Sequence, residues 1–276
     1  MKEGLFQLLC CPACHGELDL TVDERNEDHI ETPLEELSSA DRFFRALLLE
    51  ERGEFAEARQ AEEAANLGLY TYEYRSCLRS QLEYVVERVS AAGNPVIDLA
   101  SGRGYLAEEL TRRLDRHIVL TDFSPRILRR NRRYFEFLGF YRKVSFIACD
   151  ARQLPFQAGG VRTMTTNLGL ANIEAPGDVL GELRRVVAGE FLAISHFFPD
   201  DDVENAEVIK KFGLETFLFK NSALERFARA GFRVELANVC RGKALPTPQS
   251  RLIPGAGIDA LPVAETELTW CTLIAA

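Results

Sequence analysis

Nowhere in these 276 residues does an apolar run approach the roughly 20 residues that a membrane-spanning helix needs. The stretch from Met1 to Cys11 carries Lys2 and Glu3 and only a short apolar segment, so it lacks the central region of a secretory signal. Positive charge is not in excess. Lys and Arg number 33 against 42 Asp and Glu, a net charge of −9, which argues against a surface devoted to nucleic acid but leaves room for a local basic patch. The cysteines number seven, and most fall inside expected strands or helices, which does not suit a disulfide framework. A cytoplasmic protein with no membrane partner is the expectation. Apolar residues make up 46% of the chain, enough for a sizeable core.

The most informative segment runs from Pro95 to Leu106. A short apolar run ending in Asp98 flows into a glycine turn, Ala100-Ser101-Gly102-Arg103-Gly104, and a helical pattern follows at once. Gly102 and Gly104 let the backbone take positive φ and approach a ligand closely. The helix that opens near Gly104 turns its free N–H groups toward the turn. Strand, glycine turn and helix together make a nucleotide-binding corner. Gly102-x-Gly104-x-x-Ala107 also fits the dinucleotide fingerprint, so a nicotinamide cofactor is one reading.

Two further strand ends separate the readings. His117–Asp122 reads as a second strand closed by a carboxylate, which suits any ribose diol. Val144–Ala151 reads as a third strand, continuing into Arg152-Gln153-Leu154-Pro155-Phe156. Asp98-Leu99-Ala100-Ser101-Gly102-Arg103-Gly104 and the Asp150–Phe156 segment resemble the first and third motifs of class I S-adenosylmethionine-dependent methyltransferases. The first glycine of that pattern is Ala100 here, and an alanine there implies that the position does not need positive φ. A dehydrogenase has no use for Asp98 or for the Asp150 segment. The resemblance spans residues 93–276, about two-thirds of the chain.

The resemblance implies an α/β fold: a seven-stranded, mostly parallel Rossmann-like sheet with helices on both faces, here with an N-terminal helical extension. Val161–Leu168 is the expected fourth strand, and Glu190–Ser195 lies in the fifth. Phe232–Val239 and Glu267–Ile274 are the sixth and seventh, antiparallel to each other. Three regions follow: a small cysteine-containing element over 1–30, a helical cap over 31–92, and the core over 93–276. Within the cap, Leu37, Phe44, Leu47 and Leu48 share one helical face. A second helix runs from about Glu54 to Asn66, and a third over Ser76–Val89.

The resemblance also implies site residues. Asp98, Ala100, Ser101, Gly102 and Gly104 would meet the methionine portion and ribose of S-adenosylmethionine. Asp122 would take the ribose hydroxyls, with Phe123 against the adenine. Asp150 and Ala151 would pair with the adenine edge, and Asn167 and Leu168 would touch the methionine end. Tyr70, Tyr72 and Tyr74, alternating before the third helix, are candidates for lining the acceptor pocket. His196, just after the fifth strand, is the candidate base, set against a packing histidine. Methyl transfer from a sulfonium needs alignment and exclusion of water, and a base only when the acceptor is still protonated. Long segments after Ser195 and from Arg241 to Ala264 are expected to close a cavity, which favours a small, partly apolar acceptor. The fourth strand lacks the Asn/Asp-Pro-Pro-aromatic signature of enzymes that methylate exocyclic amines.

Cys11-Pro12-Ala13-Cys14 resembles the first knuckle of a short zinc ribbon, but the second pair of ligands is missing; the preferred reading is a degenerate ribbon without metal, the other a zinc held with Cys11 and Cys14. Arg126, Arg129, Arg130, Arg132 and Arg133 read as a solvated helix face rather than an RNA-binding one. The favoured function is methyl transfer to a small-molecule acceptor at oxygen or nitrogen. The alternatives are an RNA methyltransferase that docks through the knuckle, and a non-catalytic scaffold that keeps the fold. Oligomeric state is not legible.

Overall fold

The computed structural model describes residues 8–16, 49–50, 52–91, 95–248 and 258–276. The expected helix face of Leu37, Phe44, Leu47 and Leu48 and the greater part of the 1–30 element lie outside them.

Two helices lead in: α1 (Phe55–Leu69) and α2 (Tyr72–Ser90). Then strands and helices alternate: β1 (Val96–Asp98), α3 (Tyr105–Arg113), β2 (Ile118–Asp122), α4 (Pro125–Phe137), β3 (Val144–Ala148), β4 (Val161–Asn167), α5 (Pro176–Val186) and β5 (Val187–Phe197). The chain closes with α6 (Val203–Lys211), α7 (Glu215–Leu218), α8 (Lys220–Arg229), β6 (Val234–Ala244) and β7 (Thr266–Ala275). The seven strands form one sheet in the order β3-β2-β1-β4-β5-β7-β6. β1 to β5 pair in parallel, and β7 is antiparallel to both β5 and β6. This is the Rossmann-like sheet the sequence implies. Because the order reverses at β1, the crevice beyond the carboxyl ends of β1 and β4 is where such a sheet opens to a ligand.

Each face of the sheet has its own core. Val85 and Val89 of α2, Leu106 and Leu110 of α3 and Phe135 of α4 pack with Trp270 on one side. Val179 and Leu183 of α5 and Phe227 of α8 pack with Phe156 and Phe191 on the other. β1 is buried along its whole length, as a central parallel strand with both faces covered must be.

Two boundaries differ from the sequence reading for local reasons. α2 begins at Tyr72 rather than Ser76, because the Thr71 hydroxyl caps it by accepting from the Tyr74 N–H at 3.1 Å. β6 runs five residues beyond Val239, because a bulge at Asn238 (φ 53°) absorbs an irregularity instead of ending the strand. The bulge is pinned to α2: the Gln81 amide donates to the Asn238 carbonyl at 2.7 Å, and the Asn238 amide donates to the Ser80 carbonyl at 2.9 Å.

The described part of the N-terminal element is docked on the core. Leu9 bridges Phe156, and the Cys10 N–H donates to the Pro155 carbonyl at 3.1 Å. Cys10 is buried and Cys14 exposed. Hydrogen bonds from the Cys14 and Ala13 amides hold the Cys11 thiol below its usual pKa. Among the described residues, no group of three or more His, Cys, Asp or Glu is placed to hold a metal ion. No described helix is long and apolar enough to cross a membrane.

Candidate functional site

The carboxyl ends of β1, β2 and β4 bring Asp98, Asp122 and Asn167 to one edge. β1 registers Asp98 against Leu120 of β2 and Thr165 of β4. The chain then turns sharply through Ala100 (φ 47°), Gly102 (φ 50°) and Gly104 (φ 80°), and Gly104 caps α3. Ala100 thus corrects one expectation: the position is left-handed after all. The turn is anchored on both sides of it, by the Leu99 N–H on the Thr165 carbonyl and the Ser101 N–H on the Thr121 carbonyl, each 2.8 Å. These bonds impose a conformation that costs a non-glycine residue roughly 1–2 kcal/mol.

Asp122 braces that turn. Its Oδ2 accepts from the Gly102 N–H and its Oδ1 from the Ser124 N–H, both at 2.9 Å. Asp98 is buried; its Oδ1 accepts from the Thr165 hydroxyl at 2.9 Å, while Oδ2 has no partner. Burial pushes the Asp98 carboxyl up to about 7, helped by the charge of Asp122 and opposed by the Thr165 hydrogen bond. Ser101 Oγ and Asn167 Oδ1 are likewise buried without partners. A buried polar atom left unpaired is costly, and native proteins seldom keep one without a reason. Here three lie on the turn and the two strand ends beneath it. A ligand bearing an ammonium and hydroxyl groups would satisfy such a donor-poor, acceptor-rich set. The residues present therefore fit the methionine end of S-adenosylmethionine.

Beside the turn lies a cleft of about 270 Å³ lined by Ala100, Asp122, Phe123, Asp150, Ala151 and Arg152, among others. Phe123 is 74% exposed, a bare ring at its rim. Asp150 is engaged by Arg152, whose Nε lies 3.0 Å from each carboxylate oxygen. That pairing holds Asp150 below the usual carboxylate range.

A larger cavity of about 330 Å³ adjoins the cleft, and Asn172 lines both. Its wall includes Leu168, which the sequence reading set at the cofactor, together with Tyr70, Tyr74, His196, Phe198 and Phe217. Pro246, Ile258, Leu261 and Pro262, from the long segment between β6 and β7, line it. Tyr70 and Tyr74 stack with ring centroids 4.5 Å apart, and Tyr74 meets the edge of Trp270 at 4.9 Å. Tyr72 does not join them. The α2 helix already includes it, so alternation gives way to helical spacing and turns Tyr72 outward, 74% exposed. His196 packs 5.0 Å from Trp270, and its Nδ1 has no hydrogen-bond partner. Burial pulls its pKa down to about 4, so the imidazole is neutral near pH 7. Among the described residues, no Lys or Arg lines this cavity.

Asn131 is a site residue the sequence reading missed. Its Nδ2 donates to the Gly102 carbonyl at 2.8 Å. The signal was present: Leu128, Asn131, Tyr134 and Phe135 form the buried stripe of α4, and an asparagine there needs a partner. The arginines beside it drew attention to the opposite face. Several of these are paired, Arg130 with Glu50 and Arg132 with Glu136.

Residues 96–189 match the family profile described as Methyltransferase domain. Over 106 residues the chain is 38% identical to a demethylmenaquinone methyltransferase of Thermus thermophilus, covering 38% of this chain and 47% of that protein. It is 30% identical over 108 residues to a ubiquinone/menaquinone biosynthesis C-methyltransferase of Coxiella burnetii, covering 38% and 43%. The chain thus spans less than half the length of these curated relatives. Among solved structures, the YcgJ protein of a Bacillus shares the fold with a TM-score of 0.54 at 13% identity, over 71% of this chain and 97% of that one. Geranyl diphosphate C-methyltransferase of Streptomyces coelicolor, solved with S-adenosyl-L-homocysteine, gives 0.52 at 15%, over 72% and 80%. In motif, in strand order and over residues 96–189, the chain is similar to S-adenosylmethionine-dependent methyltransferases.

Proposed function

We propose that the protein transfers a methyl group from S-adenosylmethionine to a small, partly apolar acceptor, at oxygen or nitrogen. One observation carries this reading: the unpaired Asp98 Oδ2, Ser101 Oγ and Asn167 Oδ1 lie under the glycine turn, while the adjoining aromatic cavity shares Asn172 with the cleft. The sulfonium, when bound, supplies the activated methyl group and its own leaving group. The chain's task is placement. Asp122 and the close backbone at Gly102, which has no side chain to hold a ligand off, fix the ribose end, and Phe123 covers the adenine side. Leu168 and the Tyr70–Tyr74 pair keep water from the acceptor. The neutral His196 imidazole accepts a hydrogen bond from an acceptor hydroxyl or amine at Nδ1, orienting it and drawing off its proton as the acceptor attacks.

Methylation at carbon is the second reading. It is favoured by the curated relatives, one of which is a C-methyltransferase, and by the aromatic lining of the cavity.

Titration calorimetry with S-adenosylmethionine and with its demethylated product tests the core claim: both bind at one site, and absence of heat and of any thermal shift overturns it. Asp122→Ala removes two charge-assisted acceptors, each worth about 1.5–3 kcal/mol. The expected result is at least a hundredfold loss of cofactor affinity; unchanged affinity removes the ribose assignment.

A further inference from the structure

Arg103 stands between the two glycines of the turn, and its side chain, only 14% exposed, points away from the sheet toward the helical extension. Two carboxylates wait for it there. Glu50, just ahead of α1, takes its Nη2 at 2.5 Å, and Glu62 of α1 lies 3.3 Å from its Nη1. Both carboxylates are themselves nearly buried, 5% and 12% exposed. The Tyr105 hydroxyl donates to Glu62, and Arg130 of α4 bonds Glu50 from the other side, 3.1 Å from Nε to Oε2. Arg130 also donates to the Arg103 carbonyl at 2.8 Å, while Asn131 holds the Gly102 carbonyl. Two arginines and two glutamates make a neutral set, so burial leaves no net charge unbalanced.

The arrangement matters because of what it grips. Three residues of the turn are left-handed, and its N–H groups are tied down inside the protein: Ser101 to the Thr121 carbonyl, Gly102 to Asp122 and Gly104 to the Ser101 carbonyl. Ala100, the non-glycine among them, pays for that conformation and keeps it only when the surroundings over-determine it. Asp122 and Asn131 fix the two peptides that flank the Gly102 Cα from the core side. Arg103 is the turn's only long side chain, and its partners come from outside the core. The same helix that carries Glu62 places Leu69, seven residues and roughly 10 Å further along, in the wall of the larger cavity.

We propose that Glu62, together with Glu50, is a positioning group of the cofactor site: by holding the Arg103 guanidinium it sets the peptides between Gly102 and Gly104, which makes the helical extension part of that site. This rests on the methyltransferase reading above. Glu62 touches neither cofactor nor acceptor; it acts through Arg103.

The test uses the full chain and S-adenosyl-L-homocysteine as the calorimetric probe. Glu62→Gln keeps size and loses charge; the expected result is about tenfold weaker binding, a larger loss than the accompanying fall in melting temperature accounts for. Glu62→Asp should recover much of the affinity. Hydrogen exchange at residues 101–104 should quicken in Glu62→Gln while exchange in β4 stays unchanged. Glu225→Gln, which breaks the exposed Arg229 pair on α8, should alter neither. If Glu62→Gln binds the probe as the parent does, or if its binding falls only in step with stability and with exchange across the sheet, the inference is overturned. Failure of the parent itself to bind overturns the methyltransferase reading instead.

Discussion

At the scale of single residues, Asp98 is the most informative position, because its burial makes folding and ligand binding depend on protons. Its carboxyl is raised from 3.8 to about 7, so the fold favours the protonated form. A group raised in this way contributes its full stability below the unfolded value, near pH 4. That contribution is lost as pH climbs through 7, at up to about 1.4 kcal/mol per pH unit. The ligand-free protein should therefore lose stability from this source between pH 4 and 7, and Asp98→Asn should flatten that part of a denaturant-against-pH profile. If Asp98 meets the cofactor ammonium as proposed, that charge would reverse the preference and expel the proton. Binding heats measured near pH 7 in buffers of different ionisation enthalpy should then differ, and equal heats would remove Asp98 from the ammonium. His196 works the other way. Its pKa falls to about 4, so its neutral form is the one the fold keeps.

Among the elements, the β4–β5 pair shows how tightly the sheet around the site is assembled. Its register shifts between Val161 and Thr163, and Gly189 sits in that irregularity. A Cβ there would come 2.0 Å from the Arg162 carbonyl oxygen, which is backbone and cannot swing aside. Gly189→Ala should destabilise by at least the ~1–3 kcal/mol typical of overpacking, read as a lowered urea midpoint. Gly181 on α5 is the control: a Cβ meets nothing within 4 Å, and Ala should stabilise by up to about 1 kcal/mol. The two glycines look alike in sequence. Helix starts were legible to within a few residues where apolar spacing set them, but the start of α2 needed the Thr71 cap and the length of β6 needed the bulge at Asn238.

For the whole molecule, the balance of charge speaks to partners. Arg112 and Arg113 pair with Glu108 and Glu109 on their own helix, Arg132 with Glu136, and Arg103 and Arg130 share Glu50. Carboxylates thus already face much of the basic run, and the chain carries a net charge of −9. Filter binding to structured RNA should show at most weak retention at low salt that vanishes by about 0.2 M; tight binding with a steep salt slope would favour the RNA alternative.

The succession of strands along the chain and the three acidic residues at or just past their ends were legible before folding. Those features are local: apolar runs, carboxylates at their ends and glycines after them are written along the chain. Left-handed backbone at Ala100 was not among them, because hydrogen bonds from β2 and β4 impose it. Nor was the outward turn of Tyr72, nor the Glu62–Arg103 contact across 41 residues. Only the tertiary structure decided which polar atoms were left unpaired at Asp98, Ser101 and Asn167, and which aromatic rings closed a cavity around His196. Pairing and enclosure belong to residues distant in sequence, and no spacing along one chain encodes them.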